Sequence, residues 1–552
     1  MKKGKTTGAK ALVKELQEAG VSVVFGYPGG ATLPIHDEIQ SSTLRFVLSR
    51  HEQGAAHMAD GYCRATGKTG VCMATSGPGA TNLVTGIATA YMDSSSVVAI
   101  TGQVPRPMIG NDAFQEVDIT GITVPITKHN YLVQNPRDLP HIIKEAFYLS
   151  STGRKGPVLV DIPKDVQTES FSSADIRYPD LEGYNPTIDG HPGQIKKALQ
   201  LLEKAERPVL LVGGGCCSSG AETSLRDLAE RSDLPVVSTL MGKAAFPNTQ
   251  GDYLGMIGYH GRVAANRALM EADVIIAAGV RFGDRSTGNL KNFAPQASMI
   301  HLDIDPAEIS KNVPAFLPIV GDVNNILTAM AAQVKPTKRK AWLSALHTAK
   351  NQHPLRVPEP FSIPGILRQV REMVDPAILV TDVGRHQIFA AHYWDTDIPK
   401  SFITSGGLGT MGFGLPASLG AKTGRPDMPV ILITGDGSFL MCCQEIAAAA
   451  AAGISVIVLI MNDSGLGMIR QLQDTFYGGR RAESSFPGRV NFAGLAESLG
   501  AVGITALTPE EIAEGVKQGL KNPVPTIIDC ILEKQDHTYP MVTGDSLLHY
   551  VE

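Results

Sequence analysis

Two acidic residues stand at matching places in the chain and offer hard oxygen ligands. Asp436 lies in Gly435-Asp436-Gly437-Ser438, directly after the apolar, β-branched run Val430–Thr434. Asp463 lies in Asn462-Asp463-Ser464-Gly465, directly after a second apolar run, Ser455–Met461. Short runs of this kind read as buried strands. Between them an alanine-rich segment containing Glu445 reads as helix, closed by Gly453 as its C-terminal cap. The order is strand, turn, helix, strand, with polar oxygens at the carboxyl ends of both strands. Parallel α/β sheets bind ligands at that edge. Magnesium takes a few carboxylate oxygens and completes its shell with phosphate oxygens and water. Glycines let backbone N–H groups approach an anion, and the helix opening near Ser438 aims its positive end at it. The unit fits a magnesium-bridged diphosphate. The competing account is an ordinary crossover with a Gly-Asp-Gly turn, and the second acid at a strand end weighs against that.

The elements that must position these residues fall into three units. A chain of 552 residues is long enough for about three domains. The first runs over residues 1–170, with strands expected at Val21–Phe25, Val71–Thr75, Val97–Thr101 and Val158–Asp161. The second runs over 191–335, with strands at Val209–Val212, Val274–Ala278 and Ile300–Ile304. The third runs over 361–540 and adds Ile378–Asp382 to the strands above. Strands alternating with helical segments predict an α/β fold of three doubly wound parallel sheets. Stretches 170–190 and 336–360 read as linkers, and the basic cluster Lys335–Lys340 as a solvated part of the second. The tail after Thr538 lacks periodicity; it either frays or folds over the site. The first and third units share their pattern.

Composition narrows the function. The chain is 43% apolar and 19% charged, with a net charge of −5 and no large basic block. Nucleic acid and anionic membrane are therefore not expected as partners. Seven cysteines without a CxxC spacing predict reduced thiols in a cytoplasmic protein. Glu15 and Glu18 interrupt any signal-peptide core, and no uncharged apolar run reaches membrane-spanning length.

Gly-Asp-Gly followed one unit later by an Asn-Asp pair resembles the diphosphate site of thiamine-diphosphate enzymes. It departs from that pattern at Asp463, where the family usually places a second Asn. Such a cofactor needs a carboxylate hydrogen-bonded to N1′ of its aminopyrimidine, which promotes the imino tautomer that deprotonates thiazolium C2. A glutamate in an apolar site suits the role. Glu52, in Arg50-His51-Glu52-Gln53-Gly54, is the candidate, and the other reading is a helix N-terminal acid paired with Arg50. In the second unit, Gly213-Gly214-Gly215 and Gly279 follow strands, and Asp305-Pro306 follows another. A nucleotide-binding sheet and plain loops are both compatible with these, since no GxGxxG is present.

Nearly the whole chain, from about residue 9 to 535, resembles the catalytic subunits of the acetolactate synthases, or acetohydroxyacid synthases. The carrying motifs include VFGYPGG (24–30), RHEQGAA (50–56), ATSGPGATNL (74–83), AITGQVPRPMIGNDAFQE (99–116), GVRFGDR (279–285), HLDIDPAEI (301–309), SGGLGTMGFGLP (405–416) and GDGSF (435–439). The resemblance implies a pyrimidine-binding first domain, a middle domain holding FAD as a largely structural group, and a diphosphate-binding third domain. Two pyruvates would condense: the first loses CO2 on thiamine diphosphate, and the resulting carbanion attacks the second to give 2-acetolactate. With 2-ketobutyrate as acceptor the product is 2-aceto-2-hydroxybutyrate. Either reaction opens branched-chain amino-acid synthesis. Related decarboxylase, acyltransferase or pyruvate oxidase chemistry, or a non-catalytic paralogue, are the alternatives. Glu52 of one chain would face the diphosphate unit of another in a homodimer or dimer of dimers, with or without a small regulatory subunit.

Position by position, the resemblance assigns Phe114, Gln115 and Lys164 to the reaction pocket, and Arg285 to the carboxylate of the second ketoacid. Met411 would brace the cofactor, with Gly29, Pro78 and Gly409 near its aminopyrimidine. Val383, Gly384, Arg385, His386, Gly437, Ser438, Leu466, Gly467 and Met468 would lie along thiazolium and diphosphate. Asp436, Asp463 and Gly465 would hold magnesium. Arg154, Gly213, Gly214, His260, Asp303 and Asp322 would contact FAD. Leu472 stands where the family usually has a Trp that favours 2-ketobutyrate, and Tyr259 where Met is common. Arg385 stands for a usual Gln and could offset the charge of Asp463.

Overall fold

The computed structural model describes residues 5–172, 181, 183–533 and 537–551. They form three six-stranded parallel sheets, each covered by helices on both faces. The linker expected over 170–190 lies partly outside the described residues, at 173–180 and 182.

The first sheet runs Arg45–Leu48, Val23–Gly26, Gly70–Ala74, Val97–Gln103, Val158–Pro163, His129–Leu132. The third runs Phe402–Ile403, Ile378–Thr381, Val430–Gly435, Ile457–Asn462, Thr526–Ile531, Val502–Ala506. Numbered along the chain, both have the order 2-1-3-4-6-5, so the shared pattern of the two units is a shared topology. The middle sheet runs Tyr253–Met256, Val236–Ser238, Pro208–Val212, Val274–Ala278, Ser298–Asp303, Leu317–Val320, which is the order 3-2-1-4-5-6 of dinucleotide-binding sheets. Every expected strand is present within two residues. The edge strands Arg45–Leu48 and Val502–Ala506 were not anticipated, because they are half exposed and lack a continuous apolar run. Thr526–Ile531 is fully buried, but Asp529 interrupts its run; that acid accepts from Asn462 Nδ2 at 2.9 Å.

Three expectations need correction. The alanine-rich helix is not continuous from Ser438: a short helix Asp436–Leu440 is followed by a turn, and Glu445–Ala452 by the left-handed cap Gly453. Residues 336–360 are not a plain linker. Helix Lys340–Gln352 packs Trp342 and Leu346 into the middle unit's core. The basic cluster before it is not wholly solvated either, since Arg339 is buried and donates to the carbonyls of Leu202, Ala205 and Ser232. The tail folds rather than frays: Met541–Val542 pairs with Tyr550–Val551, and Leu547 is buried in the same core. All seven cysteines are free thiols. No described helix is long and apolar enough to cross a membrane.

The first and third units share one hydrophobic core. Helix Glu52–Thr66 crosses helix Gly414–Gly424 so closely that a Cβ on Gly61 would strike the carbonyl of Ala417, and one on Gly420 that of Met58. Glu445 locks the same junction. Its side chain is fully buried, and both carboxylate oxygens accept the Arg50 N–H, at 3.0 and 3.1 Å, while Oε1 accepts that of His51 at 2.9 Å. An acid from the third unit thus anchors the backbone just ahead of the helix that opens with Glu52, while the His51 ring caps that helix by accepting from Gln53 N–H. Burial pushes the Glu445 carboxyl from an ordinary 4.5 up to about 7, against the pull of the two N–H donors.

The folded chain therefore holds a proton that the unfolded chain releases between about pH 4.5 and 7, and stability falls as pH rises through that window. Glu445→Gln keeps an acceptor and cannot ionise, so it should remove up to about 3 kcal/mol of this decline. Urea midpoints of both proteins across the window test it; parallel pH slopes would contradict it.

Candidate active site

The third sheet reverses its winding between Ile378–Thr381 and Val430–Gly435, and the site grows from these two strand ends. Asp382 follows the first. It is fully buried and accepts N–H bonds from Val383 at 2.9 Å, Gly412 at 3.0 Å and Gly414 at 3.1 Å. These bonds draw the 406–416 loop across the sheet edge and set Gly409 and Met411 on a cavity wall. Burial raises the Asp382 carboxyl to about 6 in spite of the three donors. Val383, Gly384 and His386 line the same wall. Burial, then the adjacent Arg385, lowers His386 to about 3, so its imidazole is neutral, and its Nε2 is a buried polar atom without a partner.

Asp436 follows the second strand. Its Oδ1 accepts from Gly437 N at 2.7 Å and its Oδ2 from Gly465 N at 3.0 Å, so one carboxylate ties together the ends of two neighbouring strands. Burial, then the nearby Asp463, raises it to about 6. Asp463 is itself ion-paired with Arg385, and with Arg470 at 3.5 Å. No group of three or more His, Cys, Asp or Glu residues that could hold a metal forms among the described residues. The two carboxylates, with backbone oxygens and an incoming phosphate, fit the open oxygen set of magnesium. The helices Arg385–Tyr393 and Gly467–Phe476 both begin at this edge.

A cavity of about 1100 Å³ runs from here to the middle unit. Gly437, Ser438, Gly465, Leu466, Gly467, Met468 and Leu472 line one end; Arg154, Gly214, Tyr259, His260, Arg285, Asp303 and Asp322 line the other. The middle sheet changes direction between Pro208–Val212 and Val274–Ala278. Gly213 and Gly279 follow these strands in contact, and a Cβ on Gly213 would strike the Gly279 carbonyl. Gly213 thus lies beneath the cavity floor and does not line it. Asp303 ends the next strand and is raised to about 6 by burial. Arg154 pairs with Asp305 at 3.3 Å and Glu308 at 2.7 Å. Asp322 caps helix Val323–Gln333. His260 Nδ1 lies 3.2 Å from the Pro540 carbonyl, so the folded tail braces the wall. The Arg285 side chain is 78% exposed, its guanidinium 5.6 Å from the Tyr259 ring centre.

The remaining candidates gather elsewhere, at the carboxyl edge of the first sheet. Glu52 opens helix Glu52–Thr66, and its Oε2 accepts from Asn82 Nδ2 at 3.0 Å. Arg50 does not pair with it among the bonds found; its guanidinium donates to Leu48 and Ser49 carbonyls. Pro78 opens helix Pro78–Asn82, and Gly77 presses on the Gln115 backbone. Gly29 packs on the Thr75 side chain, and Lys164 opens the helix after Val158–Pro163. Phe114 is 87% exposed. None of these lines the cavity, so one chain does not bring the two groups together. Sequence reasoning missed Asp382, Asn82 and Arg470, and gave Glu445 no role. Asp382 carried the signal that marked Asp436, an acid directly after a β-branched run.

Comparison with known proteins agrees with this layout. Residues 6–122 match the thiamine pyrophosphate enzyme N-terminal TPP binding domain, 195–330 the central domain, and 382–530 the C-terminal TPP binding domain. An acetolactate synthase of Arthrospira platensis is 47% identical over 98% of this chain and 96% of its own. The acetolactate synthase large subunit of Haemophilus influenzae is 45% identical over 97% and 96%, and that of Corynebacterium glutamicum 45% over 98% and 89%. Similarity of this extent, together with three family domains in order, places the chain in the acetolactate synthase large-subunit family of thiamine pyrophosphate enzymes.

Proposed function

We propose that this chain is the catalytic subunit of an acetolactate synthase, joining two 2-ketoacids with loss of CO2 at the start of branched-chain amino-acid synthesis. The observation that carries the reading is the third-sheet edge: two carboxylates, two helix N-termini and a buried neutral histidine facing one cavity. Thiamine diphosphate, when bound, supplies a carbon nucleophile and an electron sink. The third unit is its diphosphate side, with Asp436, Asp463 and Gly465 about a magnesium ion. The first unit is its aminopyrimidine side, where Glu52 exchanges a proton with N1′ and Asn82 orients the carboxylate. Met411 and Gly409, on the loop that Asp382 holds through Gly412 and Gly414, would support the cofactor from the cavity wall.

Glu52 and its neighbours do not face the cavity of their own chain, and Phe114 projects into solvent. A second copy that presents its first-sheet edge to this cavity supplies the missing carboxylate, together with Phe114, Gln115 and Lys164. The working unit is accordingly a homodimer or a dimer of dimers. The middle unit holds FAD: its strand order, its crossed glycines and the acid at Asp303 suit a dinucleotide. Arg285, exposed at the cavity mouth, offers a fork of N–H donors to the carboxylate of the second ketoacid. The names of the relatives, large subunits, make a small regulatory subunit the further partner to test.

Glu52→Gln should lower acetolactate formation from pyruvate by about 100-fold or more while thiamine diphosphate still binds. Undiminished turnover, measured as product per cofactor bound, would contradict the assignment; oxygen uptake or free acetaldehyde in the wild type would redirect the reading to an oxidase or a decarboxylase. Leu472 lines the cavity, and a larger ring there would grip the extra methylene of 2-ketobutyrate. Leu472→Trp should raise the ratio of acetohydroxybutyrate to acetolactate in mixed-substrate assays by about tenfold or more. An unchanged ratio would remove Leu472 from the acceptor pocket.

A further inference from the structure

The loop over 405–413 carries Gly409 and Met411 along the cavity wall, yet it has little packing of its own: Leu408 is 45% exposed, and Gly406 and Gly409 are exposed beside it. Asp382 holds its far end through Gly412 and Gly414. Its near end is held from the first unit. Asp93, at the C-terminal cap of helix Val84–Met92, accepts from Gly407 N–H at 2.6 Å and from Gly406 N–H at 3.3 Å. The approach is close, since a Cβ on Gly407 would strike the Asp93 carboxylate and the Met92 carbonyl. One turn earlier on that helix, the Thr89 hydroxyl lies 2.7 Å from the Thr410 hydroxyl. Arg64 Nη1 donates to the Thr404 carbonyl at 2.5 Å.

An acid is an unfavourable choice at position 93. Its side chain is fully buried, and it meets the negative end of the helix dipole. Nor does Arg64 need it for charge balance. That guanidinium already holds the buried Asp60 with two bonds, Nε to Oδ1 at 2.7 Å and Nη2 to Oδ2 at 2.9 Å, before Nη2 reaches Asp93 at 2.8 Å. Among the described residues Asp60 accepts from Arg64 alone, whereas Asp93 also takes the two loop N–H groups. A charged acceptor makes the stronger kind of hydrogen bond, which suits a loop that packing does not hold.

We propose that Asp93 is a positioning residue for the reaction: its two backbone bonds set the loop, and with it Gly409 and Met411, against the cofactor, and Arg64 and Thr89 complete the clamp. The proposal rests on reading the third-sheet edge as the thiamine diphosphate site. A loop displaced by about 1 Å would cost about 100-fold in rate.

The test compares full-length wild type, Asp93→Asn and Asp60→Asn by thermal melting, backbone hydrogen exchange over 404–414, calorimetric titration with thiamine diphosphate and magnesium, and acetolactate formed per bound cofactor. Each substitution takes one buried acid from Arg64, so both should lower the melting temperature. Only Asp93→Asn should speed exchange over 404–414 and lower turnover per bound cofactor, each by about tenfold or more. Thr89→Val keeps the side-chain shape and removes the Thr410 bond; it should shift both readouts in the same direction, and it decides the matter if Asp93→Asn does not fold. Equal effects of Asp60→Asn and Asp93→Asn on exchange and turnover would overturn the proposal, as would wild-type exchange and turnover in the Asp93→Asn protein. A wild type that binds no thiamine diphosphate would instead overturn the underlying cofactor assignment, while the exchange comparison would still report on the clamp.

Discussion

The buried carboxylate of Glu445 takes the backbone N–H groups of Arg50 and His51, the two residues that lead into the helix carrying Glu52. Glu445 belongs to the third unit, on the helix that follows the Gly-Asp-Gly turn, and Glu52 to the first. One acid therefore fixes the second acid's helix against the third unit. The close crossing at Gly61 and Gly420, and the core the two units share, make that junction rigid. Its consequence is geometric. Within one chain the two halves of the candidate site stay apart, since Glu52 does not line the cavity. The proposed dimer follows from this constraint, because a second copy turned about a two-fold axis matches each half with its complement.

The same economy shows in the topology. The first and third sheets repeat one strand order, and each gathers its candidate residues outside the strands' carboxyl ends. In the third sheet two strand ends carry a polar anchor with several backbone bonds: Asp382 with three, Asp436 with two. Such anchors give loops the stiffness that a cofactor cradle requires. The middle sheet has the other doubly wound order, and its edge meets the third sheet's edge across one continuous cavity.

How much could be read from sequence depended on burial. Central strands, being apolar on both faces, declared themselves, and so did the two aspartates at their ends. Edge strands such as Arg45–Leu48 did not, because their half-exposed pattern is shared with loops. Thr526–Ile531 was hidden by Asp529, which only the fold shows to be satisfied by Asn462. Helix Lys340–Gln352 was hidden by its exposed, basic face; its anchors Trp342 and Arg339 bind a domain far back in the chain. Most candidate residues of the third unit do share a cavity. The separation of Glu52 from them was legible only by resemblance, and the anchoring role of Glu445 was not legible at all, since hydrogen bonds between residues hundreds of positions apart leave no local pattern.

The division of the site between two chains is the claim on which the rest of the functional account stands, and subunit mixing tests it directly. Glu52→Gln and Asp436→Ala proteins, each inactive alone, would be co-expressed with different tags and assayed for acetolactate. If each site takes Glu52 from one chain and Asp436 from the other, a mixed dimer keeps one intact site, and random mixing restores about a quarter of wild-type activity. If each chain works alone, the mixture stays as inactive as its components.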